Sequence, residues 1–512
     1  MTSADICILI AIFLYLLFVL GIGVWSVKHN HDAGDYYLGG RRLGALVTAM
    51  SAEASDMSSW LLMGLPGVAY LYGLADATWT AIGLAVGTYL NWLIVAKRLR
   101  RYTAVAGNAV TLPEFFSNRF GDKQHILSMI AALVIIIFFV PYTASGFAAC
   151  GKLFSSLFGW DYVASMLISA VVIVGYTAMG GFLAASTTDF VQSIIMTIAL
   201  IVVLFFGVSV AGGFDSVFDN ASRLPGYLSL VGNYDPVTGE NTGYGFITIF
   251  STLAWGLGYF GMPHVLLRFM AVSDSKKLTL SRRIASIWVV ISMSAAILIG
   301  VIGLGMTNVG AVPALEGSAS ETIIVQIADL LSQHGALCAL LAGVILAGIL
   351  ASIMSTADSQ LLAAASSVSE DLLKDKFGFK LNAKKTMLIA RLTVVAISAI
   401  SVLIALNPDS NVFNIVSFAW AGFGAAFGPV VLFALFWKRT TRQGALAGMI
   451  SGAAVIFIWK FIVRPLGGIW NIYELLPAFI VACAAILIVS LCTPAPDKEI
   501  VREFDQVAAM KG

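Results

Sequence analysis

Charge is what this sequence has least of. Only 11% of its 512 residues are Asp, Glu, Lys or Arg, 59% are hydrophobic, and the mean hydropathy is +0.91. A soluble domain carries about 25% charged residues, so this chain lacks an aqueous surface large enough to keep it dissolved. That excludes a large soluble enzyme with an apolar core. Paired cysteines are missing as well. Cys7, Cys150, Cys338, Cys483 and Cys492 show no paired spacing and most sit inside apolar runs. They read as small buried hydrophobes, which excludes a disulfide framework or a CxxC metal site. Near the N-terminus, Asp5 stands where a signal peptide needs a basic region. The apolar stretch there is also too long for a signal and has no small-residue cleavage site, so it reads as a retained first span. No nucleophile–base pair or metal-ligand cluster is visible, so the sequence does not read as an enzyme. No nucleic-acid partner is expected.

What the chain does have is a series of long apolar runs. A helix rises about 1.5 Å per residue, so crossing about 30 Å of hydrocarbon takes about 20 residues. Segments meeting that test lie near 5–25, 44–73, 77–96, 124–150, 161–182, 188–211, 243–267, 284–307, 336–369, 387–406, 411–437, 443–463 and 471–492. The expectation is an all-α, polytopic membrane protein with about thirteen spans and one transporter domain over 1–512.

Charge position sets the orientation. With the N-terminus outside and the tail 493–512 in the cytoplasm, 26 of the 30 Lys and Arg fall on inner segments, including Lys28, Arg41, Arg268, Lys380 and Lys511. Only Lys152, Arg223, Lys460 and Arg464 fall outside. This positive-inside bias supports both the count and a multi-pass location in the plasma membrane. Of the two longest outer stretches, 212–242 and 308–335, the first sets Asp215, Asp219, Asp235 and Glu240 against Arg223 and reads as a solvated loop or short gate helix rather than a cation-binding one.

Two spans carry residues that a regular membrane helix does not favour. The second holds Glu53, Asp56 and the serines 51, 55, 58 and 59, followed by Gly64, Pro66 and Gly67. An Asp at a helix centre costs about 2.5–3.5 kcal/mol on insertion scales, so such groups persist where they face a cavity or an ion. The seventh holds Gly256, Gly258, Gly261 and Pro263 between Trp255 and His264, too many breakers for an unbroken helix. Each interrupted span heads a run of five. Segments 44–211 and 243–437 therefore form two five-helix units entering from opposite sides, an inverted-topology repeat flanked by 5–25 and 443–492. Discontinuous helices at corresponding positions point to the binding site.

The ninth span places Ser352, Ser355 and Thr356 on one helical face, with the Ser352 carbonyl aimed at the two hydroxyls. Such hydroxyls also often just bond back to the preceding turn. A hard monovalent cation such as Na+ wants oxygen ligands, and carbonyls freed at the break in span 2 would join these hydroxyls to supply them. Helix ends at the two breaks would take a zwitterion's carboxylate, with Trp60, Tyr142, Trp255 and Tyr259 as an aromatic wall. Asp358, His264 and Lys152 read as structural.

The motifs LGGR (38–41), ASDMSSWLLMGLPG (54–67), WGLGYFGMPH (255–264), MST (354–356) and AWAGFGAAFGPV (419–430) closely resemble the solute:sodium symporter family, its bacterial sodium/proline branch above all. The resemblance runs from about residue 5 to about 490. It implies a fold of the leucine-transporter type with a 5+5 inverted repeat. It implies sodium-coupled import of a small amino acid, L-proline first, by alternating access, in a protein expected to be a monomer. It assigns the sodium site to the carbonyls of Ala54, Met57 and Ser352 and the hydroxyls of Ser355 and Thr356. Asp56 would be the acid essential for sodium dependence, Asp189 an acid near the inner ion exit, and Arg41 a cytoplasmic-side coupling residue. The substrate pocket would draw on Ser58, Trp60, Tyr142, Trp255, Tyr259 and Pro263.

Four departures stand out: Glu53 and Ser59 replace glycines, Met262 replaces Gln, and Ser352 replaces Ala. Ser59 and Met262 leave the solute open, with pantothenate, a sugar or an organic acid as alternatives on the same fold. A sensor or channel without coupled transport is the alternative from another class. Glu53 lies one turn before Asp56. It is protonated and silent, paired with a buried cation, or part of a second ion or proton site.

Overall fold

Backbone amides find no water inside a bilayer, so long apolar runs can satisfy them only as helices. The computed structural model describes residues 2–27, 33–379 and 382–510, leaving Lys28, Lys380 and Lys511 of the charge pattern outside the described residues. The helices that matter here are α1 (Ser3–Val27), α2 (Ala45–Ser59), α3 (Leu65–Tyr72), α4 (Leu74–Leu90), α5 (Ile126–Phe158) and α6 (Tyr162–Val210). There follow α7 (Phe246–Leu253), α8 (Pro263–Ala271), α9 (Leu278–Asn308), α10 (Ile323–Ser332) and α11 (Ala336–Ser366). The last four are α12 (Ala383–Ile404), α13 (Val412–Phe436), α14 (Arg442–Ile458) and α15 (Leu475–Cys492). A short antiparallel hairpin, Gly232–Tyr234 with Asn241–Gly243, lies in the loop after α6.

Among the described residues, ten helices are long and apolar enough to cross a membrane. Three segments of the expected thirteen are not among them. Tyr162–Ala178 and Phe246–Phe260 are apolar but shorter, and 45–72 is interrupted. The stretch α6 is two helices that meet at Gly181, where φ is 70° and ψ is −178°. Tyr176 and Thr188 share a hydrogen bond of 2.6 Å. Twelve residues of straight helix span about 18 Å, so the two ends of that stretch must lie side by side.

The bundle is built around α11 and α13, whose membrane segments are the most buried, at 72% and 83%. Helix α11 packs against α1, α2, α5 and α6. The outward faces of α1, with Ile6, Ile10, Phe13, Leu14 and Phe18 exposed, form the apolar exterior that a lipid environment requires.

The segment 308–335 packs into the bundle. Its helix α10 buries Ile323, Ile324, Val325 and Ile327. In the preceding 3-10 turn (Gly317–Thr322), Glu321 is buried with Lys152 of α5, Nζ to Oε2 2.7 Å. Lys152 also donates to the Ser410 carbonyl at 2.6 Å, and Glu321 accepts from the Phe413 backbone N–H at 3.1 Å. One ion pair thus fastens α5, the 308–335 segment and the start of α13 together.

Candidate functional site

Both expected interruptions are present. In α2, Ser58 adopts φ 47° and ψ −168°, a left-handed conformation that costs a non-glycine residue of order 1–3 kcal/mol. Short polar side chains make the break tolerable. The Ser58 hydroxyl accepts from the Trp60 N–H at 3.1 Å, replacing a helical bond in the manner of an N-cap. One wide turn, Trp60–Gly64, then leads into α3 with Pro66 in its first turn. In the second broken span, α7 passes into a 3-10 stretch, Ala254–Phe260, and regular helix restarts at Pro263. Gly256 is needed there because its backbone lies against Gly83 and Gly87 of α4, where an added Cβ would collide with main chain.

The continuous helix α11 meets the rim of the first break. Ser355 Oγ donates to the Ala54 carbonyl at 2.8 Å and lies 3.1 Å from the Ser352 carbonyl. Thr356 Oγ1 lies 3.1 Å from that same carbonyl. The back-bonding alternative therefore describes Thr356, whereas Ser355 also reaches across to the other helix. Two carbonyl oxygens and two hydroxyls lie together with no charged side chain among them, the donor set a hard alkali cation accepts. The Met57 carbonyl sits one turn on and accepts from the Trp60 N–H.

Next to this junction lies a small cavity lined by Asp56, Met57, Trp60, Leu84, Tyr142, Trp255, Val416 and Trp420. Aromatic rings form one side of it, and Phe413 and Tyr473 pack on those rings. Trp60 and Trp255 are 5.6 Å apart between ring centroids, Trp60 and Phe413 5.9 Å, and Trp255 and Tyr473 5.1 Å. Tyr142 donates to the Asp56 carbonyl at 3.2 Å, and Tyr259 donates to the Asp56 carboxylate at 2.5 Å. Ser58 lines a neighbouring cavity with Ser59, Tyr142, Thr143 and Thr356. Pro263 and Tyr259 line neither; Pro263 starts α8 and ends the break, and Tyr259 meets the pocket through its bond to Asp56. Both cavities are about 10 Å3, near the size of one water, so a solute can enter only when the aromatic walls part.

Trp420 was not singled out in advance, although it lies within a noted motif. Its indole N–H donates to the Trp255 carbonyl at 2.8 Å, and its ring stands edge-on to Tyr259 at 5.0 Å. It thereby fills the backbone gap left at Gly258, where an added Cβ would overlap the indole.

Asp189 forms a second cluster, one turn along α2 from Ala54 on the side where Arg41 lies. Its Oδ2 accepts from Ser51 Oγ at 2.7 Å and from Arg268 at 3.0 Å. Arg268 further donates to Ser51 Oγ, the His264 carbonyl and Ser359 Oγ. Ser359 donates to the Ser355 carbonyl at 2.8 Å and lies 3.1 Å from Asp358. A chain of hydrogen bonds therefore runs from Asp189 to the Ser355 junction. Arg268, assigned to an inner loop on charge alone, is instead 1% exposed in α8. Its charge is tolerable there because Asp189 neutralises it and every nitrogen has a partner.

Arg41 sits apart from both clusters. It donates to the Met270 carbonyl at 2.7 Å, the Ala109 carbonyl at 2.9 Å and Thr103 Oγ1 at 3.2 Å. Partial burial, reinforced by Arg100, pushes its pKa down to about 10, so it stays cationic at neutral pH. It neutralises the carbonyl end of α8 and joins it to the entry of α2.

Glu53 is 1% exposed, and one carboxylate oxygen accepts from Trp92 Nε1 at 3.0 Å.

A family model described as the sodium:solute symporter family matches residues 36–452. Sodium/proline symporters of Staphylococcus aureus, strains USA300 / TCH1516 and USA300 among them, are 41% identical over 507 residues, covering 97% of this chain and 95% of theirs. Among solved structures, a substrate-bound, outward-open Na+-coupled sialic acid symporter has a TM-score of 0.77 at 18% identity, covering 96% of this chain and 99% of that one. MhsT in complex with L-phenylalanine has a TM-score of 0.52 at 15% identity, covering 87% and 98%. At those identities the structural likeness speaks for the fold alone, the leucine-transporter type.

Proposed function

The chain belongs to the sodium:solute symporter family, and on that premise we propose that it imports L-proline with Na+ by alternating access. The observation carrying this reading is the bond between Ser355 and the Ala54 carbonyl at the break in α2, in a chain 41% identical to sodium/proline symporters. In this reading Ala54, Met57, Ser352, Ser355 and Thr356 take the sodium ion. Asp56, held by Tyr142 and Tyr259, connects that ion to the solute pocket. Trp60, Tyr142, Trp255, Tyr259 and Ser58 surround the apolar ring of the solute, and Trp420 joins them. Asp189 and Arg41 lie on the release path, where Asp189 exchanges Arg268 for the leaving ion.

The same reading places the N-terminus outside and the C-terminus in the cytoplasm of the plasma membrane, with thirteen crossings. Segments 44–211 and 243–437 are the two repeats, and a monomer is the working unit. It also makes the Lys152–Glu321 pair part of the outer closure.

The energetics suffice. One Na+ moving inward through about 100 mV releases about 2.3 kcal/mol, and a tenfold gradient adds about 1.4 kcal/mol. Together they sustain roughly 500-fold accumulation of a neutral zwitterion. Coupling requires the ion to favour the state that completes the solute site.

Ser59 and Met262 bear on solute identity, so the test is competition. Uptake of labelled proline should be displaced by unlabelled proline and not by pantothenate, sugars or short organic acids at equal concentration. Displacement by one of those instead would move the assignment to that solute.

A further inference from the structure

Glu53 and Asp56 occupy positions i and i+3 of α2, so they share a face. Opposite them, Thr88 of α4 and Asn91 and Trp92 of the wide turn that follows it also lie at i, i+3 and i+4. The two faces are stitched together. Trp92 donates to one oxygen of Glu53 at 3.0 Å, and Tyr259 donates to one oxygen of Asp56. Asn91 Nδ2 donates to the Tyr259 carbonyl at 3.0 Å.

Glu53, Asp56 and Asn91 are each left with an oxygen that has no hydrogen-bond partner, Glu53 Oε2, Asp56 Oδ1 and Asn91 Oδ1, and the Thr88 hydroxyl stands beside Tyr259. All four residues are at least nine-tenths buried. Among the described residues, every ion pair involves other groups, and neither carboxylate meets a Lys, Arg or His. Buried polar oxygens ordinarily find donors, and two buried carboxylates need compensating positive charge. A chain that neutralises Asp189 with Arg268 has supplied nothing equivalent here.

We propose that Glu53 and Asp56, with the Thr88 hydroxyl and the Asn91 amide oxygen, form a second monovalent-cation site, so that two positive charges enter with each solute. The site is separate from the Ala54–Ser355 junction, and it rests on the reading of the chain as a sodium-coupled symporter. The charge is delivered as Na+, held by the free oxygens. With two charges driven by equal gradients, the accumulation limit rises from roughly 500-fold to the order of 10^5-fold.

The experiment is the charge-to-proline ratio in proteoliposomes, read from the voltage at which net proline flux vanishes under fixed gradients. The wild-type ratio should be two, and Glu53→Gln should lower it to one while leaving uptake Na+-dependent. Counting labelled Na+ per proline identifies the carrier of the second charge. A Na+ count that falls from two to one identifies Na+. A Na+ count of one in both proteins overturns the proposal. Thr88→Val keeps both carboxylates and tests the site without touching its charge. It should raise the half-saturating concentration of the second cation roughly fivefold, the loss of about one hydrogen-bond-sized contact. A wild-type ratio of one, or a ratio unchanged by Glu53→Gln with Thr88→Val also without effect, overturns the proposal. Absence of any Na+-driven proline uptake in the wild type would instead overturn the symport reading beneath it.

Discussion

The Ser355 hydroxyl lies 2.8 Å from the Ala54 carbonyl oxygen, fastening the continuous helix α11 to the rim of the broken helix α2. Because the same hydroxyl also lies 3.1 Å from the Ser352 carbonyl, it gathers the oxygens of two helices at one point. Removing it should spread them. Ser355→Ala is expected to raise the half-saturating Na+ concentration about tenfold or more, the loss of one or more ligand-sized contacts. Thr356→Ala should act in the same direction. Na+-dependence curves of proline uptake at matched protein levels check this, and unchanged curves for both variants would remove these residues from the ion site.

The Asp189–Arg268 pair is buried on both sides, at 0% and 1% side-chain exposure. Removing one member leaves a charge without its partner, at a cost of about 3–5 kcal/mol. Arg268→Met should therefore lower the apparent Tm in detergent more than the double variant Asp189→Asn/Arg268→Met does. If the double variant melts no higher than the single one, the pair is not what compensates the charge.

Lys152 and Glu321 tie three elements together at the end of the bundle opposite Arg41. Glu321→Gln keeps the shape but removes the charge that compensates buried Lys152, so in the proposed orientation the outer closure should loosen. In an otherwise cysteine-free background, Val416→Cys lines the central cavity. It should react several-fold faster with an impermeant thiol reagent when Glu321→Gln is added. An unchanged rate would mean that this ion pair does not hold the outer side shut.

Ser58 carries φ 47°, so glycine should be tolerated there and a β-branched residue should not. Ser58→Gly relieves strain but loses the hydroxyl that accepts from Trp60; Ser58→Val loses the hydroxyl and keeps the strain. Stability by thermal melting should therefore rank Gly above Val by about 1–3 kcal/mol. The reverse order would show that the break is not where strain is held.

The breaks were legible in the sequence because their cause is local. Serines at 58 and 59 followed by Gly64 and Pro66, and glycines with a proline at 256–263, weaken a regular helix wherever the chain folds. The hydroxyl face of α11 was legible for the same reason, being set by i+3 and i+4 spacing. What could not be read were partners distant in the chain. Arg268 follows a broken span and precedes a lysine pair, so by position it resembles loop charge. Only Asp189, 79 residues earlier, reveals it as buried. Lys152 and Glu321 are 169 residues apart, and nothing near either predicts the other. A reversal between 182 and 188 was expected from length, but its place at Gly181 and its tightness, with Tyr176 against Thr188, belong to packing. Trp420 lay inside a noted motif, and its contact with the Trp255 carbonyl depends on a glycine gap that exists only in three dimensions.

The most direct test is uptake of labelled proline into proteoliposomes, with and without an inward Na+ gradient, for the wild type and Ser355→Ala. The account predicts accumulation above the external concentration only with the gradient, and its collapse in the variant at half-saturating Na+. Equal uptake without Na+, or a variant indistinguishable from the wild type across the Na+ range, would contradict it.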